Sequence, residues 1–495
     1  MSSAFIKLIP MERYGPRGEG FSVSEAFWPW LIRAFAMPAL LATPARVLSR
    51  APLPASRLGQ DTRAKLALLL GASGLREDDA ERARFSGGTD VADLLRRRRE
   101  VAALAPDGVL YPRNAADVQG LLALCAELGI AVYAGGISTD VLRAHVRPVL
   151  ALDHSGLNHI LAQDRLSGVM EVEAGIDGME LERLLKAQGL SLGTALEASL
   201  GGWIASAETM PAPVQSVTVA TPQGVLHLGN GLHHLMAGSR GSLGVITSAK
   251  LHIQPSRESE DCHAYLFPDF AAGLTLMRQA ARTDIAQGRM LLLDDGATRF
   301  ERARYLRPWN LRQGLHDAWL ALRGFDNDAA RLVISFSGSE KQRKLGRREF
   351  ETLAKRLGAL ALGPAMMPAP CPRDVLLDRG VGVDRLQFSA TWSELPLRYA
   401  RLRAGLKQAM HAHAPVPGAR GLVLAEVSDV RSDGALLTVI WLFPRKLDNE
   451  VAQAAAIHQA ALTAAGMKAQ QGLQREILDA VKRVIDPKDI LAPDV

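Results

Sequence analysis

The sequence predicts an α+β protein whose ligand site lies on glycine-rich loops. Three observations support this fold class. Between residues 108 and 253, short apolar runs alternate with amphipathic segments, as strands and helices do in an α+β domain. Residues 172–189 have the pattern of a strand, a tight glycine turn and a helix. Residues 238–247 form a glycine-rich loop that runs into a strand, and glycines at such turns let the backbone approach a ligand closely.

Length and composition indicate a globular protein of two or three domains with anionic partners. The chain has 495 residues, of which 48% are hydrophobic and 22% are charged. Its net charge of +6 favours phosphates, acidic lipids or other anions. Cys125, Cys262 and Cys371 lie far apart and form no CxxC pair, so we expect neither a disulfide framework nor a metal site. This cysteine usage suits the cytoplasm.

An apolar segment at residues 26–48 is too interrupted to span a membrane. Three prolines and two arginines break it, whereas a spanning helix needs about 20 mostly apolar residues. Two interpretations stay open: a broken hairpin packed on the protein body, or a peripheral membrane or substrate-entry element. Trp28 and Trp30 beside Arg33 suit a lipid interface. Peripheral membrane contact through residues 26–48 is therefore one expected partnership.

Four consecutive arginines in the segment 94–100, LLRRRRE, do not indicate a nucleic-acid-binding protein. The segment is predicted to be helical, with Asp93 as its cap. Consecutive residues on a helix point in different directions, so the arginines form no single groove-reading face. No aromatic residues interleave with them. We expect a solvated, phosphate-friendly surface and no nucleic-acid partner.

The predicted elements after residue 105 begin with a strand at 109–112. Asn114 is then expected to cap a helix at 115–128, which Gly129 ends. One face of this helix carries the apolar residues Val118, Leu121, Leu122 and Cys125. The next strand, 130–133, runs into Gly135-Gly136. Further strands are predicted at 149–152, 169–172, 217–221 and 243–253.

A second α+β region is predicted after residue 255. A strand at 264–267 precedes a helix at 271–282, and long arginine-rich helices separate the strands that follow. These strands are predicted at 332–337, 385–389, 423–428 and 436–443, before a closing helix at 470–485. We therefore divide the chain into an N-terminal helical arm (1–105), a ligand-binding domain (106–255), a cap domain (256–420) and a C-terminal segment (421–495).

Several motifs occur in an order that resembles one known family. They are the 172–189 segment, Gly201-Gly202-Trp203, His233-His234 before GSRGSLGVIT, Leu266–Phe270, Arg323–Asp326 and Asp486-Pro487. Together they resemble the alkyldihydroxyacetonephosphate synthase branch of the vanillyl-alcohol-oxidase superfamily, from about Phe85 to Leu491. The resemblance implies a two-subdomain FAD-binding domain of the PCMH type, an α+β cap domain, and a C-terminal helix that returns to the FAD side.

The resemblance also implies a non-covalently bound FAD. A glycine turn leaves backbone N–H groups free to converge on a diphosphate, and Gly135, Gly136, Ser138 and Thr139 occupy that loop's place. The other implied cofactor-binding residues are Gly201, Gly202, Trp203, Gly238, Ser239, Gly241, Ser242, Gly244, Val245 and Ile246.

Two substitutions lie within these loops. Ile137 stands where the family carries a third glycine, and a positive φ there would strain it by about 1–3 kcal/mol and weaken FAD binding. Arg240 replaces an acidic residue, a charge reversal that either holds an anionic group or fills the site.

Other departures concern catalytic positions. Segment 204–220 is shorter than the family's flavin-wall element and contains two prolines and no glycine. The family's arginine aligns with Leu291, and Arg289 lies two residues earlier, on the same face of a strand. Residues 467–472 replace a histidine cluster, and no tyrosine follows Tyr399. The weak catalytic candidates that remain are His233, His234 and Arg289.

Three functions follow from this pattern. The first is an FAD-binding oxidoreductase-like flavoprotein that acts on a small anionic or lipid-like substrate. The second is a catalytically degenerate homologue that serves as a partner or scaffold subunit. The third is authentic alkylglycerone-phosphate synthesis in ether-lipid metabolism. A homodimer is one oligomeric state that the sequence leaves open.

Overall fold

The computed structural model describes residues 23–44, 53–87, 91–99, 104–194, 196, 198–207, 210–256, 260–283, 288–304, 319–325, 329–466 and 473–493. The chain divides into two compact units. The first unit comprises Met1–Arg17, Ala45–Ser256 and Ala469–Val495. The second unit comprises Gly18–Pro44 and Arg257–Lys468.

This division differs from the predicted domains. Residues 1–105 are not one separate region, because 18–44 belong to the second unit and 45–105 to the first. Residues 421–468 also belong to the second unit rather than to the FAD side, because two of their strands hydrogen-bond into its sheet. Residues 469–495 do lie in the first unit, as predicted for the closing helix.

The helices described are α1 (Phe27–Phe35), α2 (Gln60–Leu70), α3 (Asp79–Arg84), α4 (Val91–Arg99), α5 (Ala115–Leu128), α6 (Thr139–Ala144), α7 (Gly178–Lys186), α8 (Leu200–Ser206), α9 (Phe270–Thr283), α10 (Asp295–Arg304), α11 (Glu340–Arg356), α12 (Arg373–Leu377), α13 (Leu395–Ala412), α14 (Glu450–Ala464) and α15 (Leu473–Ile485). A 3₁₀ helix covers Leu232–Met236.

The strands described are β1 (Leu75–Arg76), β2 (Gly108–Leu110), β3 (Ala131–Ala134), β4 (Val149–Leu152), β5 (Ile160–Asp164), β6 (Val169–Glu173), β7 (Leu190–Ser191), β8 (Val214–Thr221), β9 (Gly224–Leu228), β10 (Val245–His252), β11 (Gln254–Pro255), β12 (Glu260–Phe267), β13 (Met290–Leu293), β14 (Ala330–Ser337), β15 (Leu360–Pro364), β16 (Val381–Thr391), β17 (Leu422–Ser428) and β18 (Gly434–Pro444).

The first unit contains two sheets that each carry one of the predicted ligand loops. One sheet has the order β1-β2-β4-β3, with β2, β4 and β3 parallel, so the loops that follow these strands lie at one edge. The other has the order β5-β6-β10-β8-β9 and is antiparallel. Helix α7 packs its buried Leu181 and Leu185 into the second sheet's core, with Val172 and Ile246.

Helix α5 begins and ends where the sequence predicts. The Asn114 side chain accepts a hydrogen bond from the Asp117 amide at 2.8 Å, and Gly129 closes the helix in the left-handed conformation, with φ 68°. The four predicted side chains, Val118, Leu121, Leu122 and Cys125, are buried in one cluster. The pattern of this helix therefore determined both its bounds and its packing.

We expect Asn114→Ala to destabilise the first unit by about 1 kcal/mol, because the Asp117 amide loses its capping acceptor. Urea denaturation measures the difference. The matched control is Glu127→Ala, also on α5, which removes an exposed ion pair with Lys65 of α2. We expect this control to change the free energy of unfolding by roughly 0–1 kcal/mol. Equal losses in both variants would contradict a capping role for Asn114.

The second unit is built on one seven-stranded antiparallel sheet of order β15-β12-β14-β13-β17-β18-β16. Strand β18 pairs along its whole length with β16 and also with β17. This pairing explains why residues 421–468 lie in the second unit: the apolar run predicted at 436–443 is an interior strand of that sheet.

The apolar N-terminal segment packs on the second unit. Helix α1 buries Phe27, Leu31 and Phe35 against a cluster that includes Phe300, and the guanidinium of Arg379 lies 5.1 Å from the Trp28 ring centroid. These contacts favour the packed-hairpin interpretation of residues 26–44; residues 45–48 lie outside those described. No helix among the residues described is long and apolar enough to cross a membrane.

The arginine run differs from its predicted form. Helix α4 begins at Val91, so Asp93 lies inside the first turn instead of capping the helix. The Asp93 side chain is fully buried, and it accepts a hydrogen bond from Arg96 at 2.8 Å. Arg96 is thus bonded to a buried carboxylate, and Arg98 is only partly exposed. These two arginines are therefore not on the fully solvated surface that the sequence predicts.

Candidate functional site

The structure brings the two predicted glycine loops together in the first unit. Loop 135–138 follows β3, and loop 238–244 precedes β10. A Cβ built on Gly241 would lie 3.7 Å from the Cβ of Ala134, the last residue of β3. The Arg240 amide donates to the Ala205 carbonyl at 3.0 Å, which joins the second loop to the end of α8. Segments about a hundred residues apart in sequence thus adjoin in the folded chain.

The first loop does not offer all its amides to a ligand. The Gly135 amide donates to the Leu152 carbonyl at 3.1 Å, and the Ile137 amide donates to the Phe85 carbonyl at 2.9 Å. Gly136 is exposed, and a Cβ there would lie 2.9 Å from the Gly87 carbonyl oxygen. Fewer backbone amides are therefore free to donate hydrogen bonds to a diphosphate here than in a glycine turn whose amides are all unpaired.

The expected strain at Ile137 is absent, which corrects the sequence prediction. Gly135 adopts the positive φ of this loop, 103°, whereas Ile137 pairs with Ser86 as an isolated β-bridge. The Ile137 side chain is 1% exposed and packs with Phe85, Tyr133 and Leu142. Its β-branched side chain is thus a core residue of the first unit. It neither strains the loop nor gives a reason for weakened FAD binding.

The second loop depends on its glycines. Gly238, Gly241 and Gly244 have φ values of 74°, 89° and 131°. A Cβ on Gly244 would lie 2.4 Å from a Val219 methyl group, so no larger residue fits there. The Ser242 hydroxyl donates to the Ser239 carbonyl at 2.6 Å, which closes the turn. Val245 and Ile246 bury their side chains, so these side chains are not exposed to a cofactor.

Helix α8 places the Gly-Gly-Trp motif beside this loop. The Ser199 hydroxyl accepts from the Gly202 amide at 3.3 Å and caps the helix. A Cβ on Gly201 would lie 3.1 Å from the Ala174 Cβ, so glycine allows the helix to pack closely on the segment after β6. Trp203 is partly buried against the same core. Close packing therefore explains why the motif has a glycine at position 201.

His154, which the sequence does not single out, lies beneath α8. Its Nε2 lies 3.1 Å from the Ser199 hydroxyl, and its Nδ1 is buried with no hydrogen-bond partner among the residues described. Burial lowers the pKa of His154 below its usual value, so the imidazole is neutral near pH 7. A buried histidine close to a helix cap is typical of a structural residue.

His233 and His234 form a pair on the 3₁₀ helix, with ring centroids 4.6 Å apart. His233 is buried, and its Nδ1 has no partner in the described part of the chain; His234 is exposed. Burial, and secondarily the neighbouring His234, lower the pKa of His233. A neutral imidazole with an unengaged nitrogen is chemically able to accept a proton.

These features test whether the loops suit FAD. The Ser239 hydroxyl is buried, and no hydrogen-bond partner for it exists within the described ranges. Unpaired buried polar atoms are rare in proteins because they cost about 1–3 kcal/mol each. Ser239 Oγ and His233 Nδ1 lie on consecutive segments at the second loop, so both fit a site that a polar ligand completes. The residues present therefore fit the cofactor, with Ile137 outside the site.

Lys482, which the sequence analysis does not single out, joins the closing helix to this loop by a hydrogen bond. Lys482 on α15 donates from Nζ to the Ser242 carbonyl at 3.2 Å and to the Leu491 carbonyl at 2.5 Å. It also lies 3.0 Å from Asp489 Oδ1. No local pattern marks Lys482, because its role comes from a contact across 240 residues.

The other positions that the sequence analysis discusses, Arg289, Leu291 and Tyr399, belong to the second unit. Arg289 is exposed just before β13, while Leu291 packs into the cluster that contains α1. The Tyr399 hydroxyl donates to Asp294 Oδ2 at 2.8 Å, and burial raises the pKa of Asp294 to about 6. Residues 467–472, which replace the family's histidine cluster, lie outside those described.

Metal binding is not indicated for the described ranges, which contain no group of three or more His, Cys, Asp or Glu side chains able to hold an ion.

Comparisons with known proteins identify one matching domain family and several similar enzymes. Residues 106–229 match the FAD binding domain family. Alkyldihydroxyacetonephosphate synthase of Dictyostelium discoideum is 24% identical over 424 residues, or 77% of this chain and 68% of that protein. The same enzyme of Trypanosoma brucei brucei is 25% identical over 337 residues, or 60% of this chain and 54% of that protein. The cytochrome-linked mitochondrial D-lactate dehydrogenase of Kluyveromyces lactis is 28% identical over 216 residues, 38% of each chain.

Solved structures show the same fold. An alkyldihydroxyacetonephosphate synthase superposes with a TM-score of 0.78 at 22% identity and covers 96% of this chain and 92% of its own. A p-cresol methylhydroxylase with substrate bound superposes with a TM-score of 0.64 at 16% identity, covering 88% and 97%. The chain is therefore similar to alkyldihydroxyacetonephosphate synthase in sequence and in fold, and its residues 106–229 match the FAD binding domain family.

Proposed function

We propose that this protein is an FAD-dependent oxidoreductase that acts on a small anionic substrate. The observation that carries the proposal is the junction of loops 135–138 and 238–244, because Ser239 Oγ in the second loop is buried and unpaired in the described part of the structure. His233 Nδ1, on the 3₁₀ helix that precedes this loop, is also buried and unpaired there. A buried polar atom gains a hydrogen bond when a polar ligand binds beside it, so these groups support a working cofactor site over a scaffold.

The chain's own groups have separable roles in this proposal. Exposed Gly136 and the turn at Gly241 provide close backbone approach for FAD. Bound FAD would supply the hydride acceptor for oxidation of a substrate carbon next to oxygen or nitrogen. His233, neutral because burial lowers its pKa, has a ring nitrogen with no partner in the described part of the chain and is our candidate proton acceptor. Arginines exposed on both units favour an anionic substrate.

Ether-lipid synthesis is less well supported. Strand β18 contains no tyrosine, and the last tyrosine of the chain, Tyr399, donates its hydroxyl to Asp294 at 2.8 Å inside the second unit. Burial and the adjacent Asp294 raise the pKa of Tyr399 further above its usual value. A phenol held in this way is a structural donor rather than a general acid for the synthase reaction.

The test is the flavin content of the purified full-length protein. We expect flavin absorbance, or uptake of added FAD, and photoreduction followed by air will separate an oxidase from a dehydrogenase. A colourless protein that takes up no FAD would leave the scaffold hypothesis. Ether-bond formation from an acylated dihydroxyacetone phosphate and a fatty alcohol would support the synthase hypothesis instead.

We further expect Ser239→Ala to weaken FAD binding roughly three- to tenfold, the value of one hydrogen bond of about 0.5–1.5 kcal/mol. The same change should leave the apoprotein at least as stable, because it removes a buried hydroxyl that has no partner among the described residues. Fluorescence titration with FAD and thermal unfolding of the apoprotein measure the two effects. Ser167→Ala, at an exposed turn of the same unit, is the control. Reduced apoprotein stability with unchanged FAD affinity would assign Ser239 a purely structural role.

A further inference from the structure

Arg240 has a backbone conformation that residues with a side chain rarely adopt. Its φ is 47°, in the left-handed region that glycine adopts without cost and that a side chain with a Cβ does not. Nearby Gly238 and Gly241 occupy the same region at 74° and 89°. Strained positions of this kind persist where the surrounding structure holds them, and they cluster at functional sites. Here the Arg240 amide is held by the Ala205 carbonyl.

The Arg240 side chain is available to a ligand. It is exposed, and among the residues described no carboxylate lies within ion-pair distance of it. Two exposed arginines elsewhere in the first unit differ from it, because Arg183 lies 2.6 Å from Glu180 and Arg113 lies 2.9 Å from Asp117. A guanidinium has five donors and no acceptor, so an unpaired one is suited to an anion.

Buried polar groups adjoin this arginine. Ser239, the preceding residue, is 6% exposed, and its hydroxyl has no partner in the described ranges. His233 Nδ1, on the 3₁₀ helix before the loop, is likewise buried and unpaired there. Gly241, the following residue, approaches Ala134 at the start of the loop predicted to hold a diphosphate. Arg240 thus directly follows a residue with a buried, unpaired hydroxyl, and the 3₁₀ helix before the loop carries a second such polar atom.

We propose that Arg240 is an oxyanion-binding residue of the cofactor loop, selective for a phosphate or carboxylate group; this rests on the proposed function. A guanidinium matches both groups because it donates two parallel hydrogen bonds to paired oxygens. Two sources can supply the oxyanion, namely the diphosphate of FAD and an anionic group of the substrate.

The experiment compares Arg240→Gln, Arg240→Gly and Arg240→Lys in the full chain, with Arg165→Gln as the control. Arg165 is an exposed arginine of the same unit whose side chain bonds Gln188 at 2.8 Å, away from the two loops. Three quantities are measured at constant ionic strength: affinity for FAD, affinity for riboflavin, and the shift that inorganic phosphate or acetate produces in the bound flavin spectrum. Phosphate protection of the apoprotein against heat is measured in parallel.

We expect Arg240→Gln to lose at least tenfold in one anion-dependent quantity and Arg240→Lys to retain part of it. Loss of FAD affinity with unchanged riboflavin affinity identifies the diphosphate as the oxyanion. Unchanged FAD affinity with loss of the spectral response to phosphate or acetate identifies the substrate group. Arg240→Gly should lose the same quantity as Arg240→Gln while its unfolding temperature rises, because glycine relieves the backbone strain.

Anion responses in Arg240→Gln equal to those of Arg165→Gln would overturn the proposal. The apoprotein arm separates this result from failure of the proposed function. If the wild-type protein takes up no flavin but phosphate protects it and fails to protect Arg240→Gln, the oxyanion site stands and the oxidoreductase function falls. A lower unfolding temperature in Arg240→Gly would show that the arginine is structural, and would also overturn the proposal.

Discussion

Ile137→Gly should destabilise the protein by about 3–5 kcal/mol, although it restores the glycine that the related family carries. The Ile137 side chain is 1% exposed and packs with Phe85, Tyr133 and Leu142 beneath the first loop. Its removal leaves a cavity, and the new glycine also adds conformational freedom to the unfolded chain. The residue does not have a positive φ, so glycine relieves no strain in return.

Urea denaturation followed by circular dichroism measures this loss, and FAD titration of the fraction still folded tests the cofactor site. Ile137→Val is the control, with an expected loss of about 0.5–1.5 kcal/mol, because it removes one methylene from the same position. A variant as stable as the wild type, with tighter FAD binding, would show that the loop was strained after all.

Arg445→Met should destabilise the second unit by about 3–5 kcal/mol, because it leaves the buried Glu450 carboxylate without its cation. The two side chains are 2% and 1% exposed, and Arg445 Nη1 lies 2.6 Å from Glu450 Oε2. Arg445 also donates to the Leu377 carbonyl at 2.7 Å and to the Thr43 hydroxyl. Arg445, which directly follows β18, therefore connects Thr43 in the segment after α1 to the sheet of the second unit.

Thermal and urea unfolding of the full chain measure the effect, with Lys344→Met as the control. Lys344 forms an exposed pair with Glu340 on α11, so its replacement should cost far less stability than that of Arg445. Replacing both buried partners, Arg445→Met with Glu450→Leu, should cost less than Arg445→Met alone, because no charge is left uncompensated. A single variant that loses no more than the control would show that the buried pair is not important for stability.

Local elements were predictable from their residues because their signals are local. Helix α5 has its cap, its apolar face and its terminal glycine within one segment, and its bounds are those predicted. Strand β4 likewise spans the predicted 149–152. Asp93 shows the limit of this reasoning: its residue type suits a cap, yet α4 starts earlier and buries it against Arg96. Tertiary packing overrides capping preference when a helix can extend.

The fold of the whole chain was also predictable, because ordered motifs over nearly 400 residues support the family resemblance that the comparisons confirm. The assignment of residues 421–468 was wrong, since pairing between β18 and its neighbours depends on contacts distant in sequence. The site residues stay predictions, but the structure shows which loops adjoin.

The sequence by itself determined the identity of the fold, the glycine loops and the helix caps, because each depends on residue types at short, fixed spacings. Only the tertiary structure decided that Ile137 belongs to the core, that Arg240 occupies a glycine-like conformation, and that Lys482 bonds Ser242 across the chain. Backbone torsion, burial and long-range pairing depend on the whole folded chain, and no local pattern contains them.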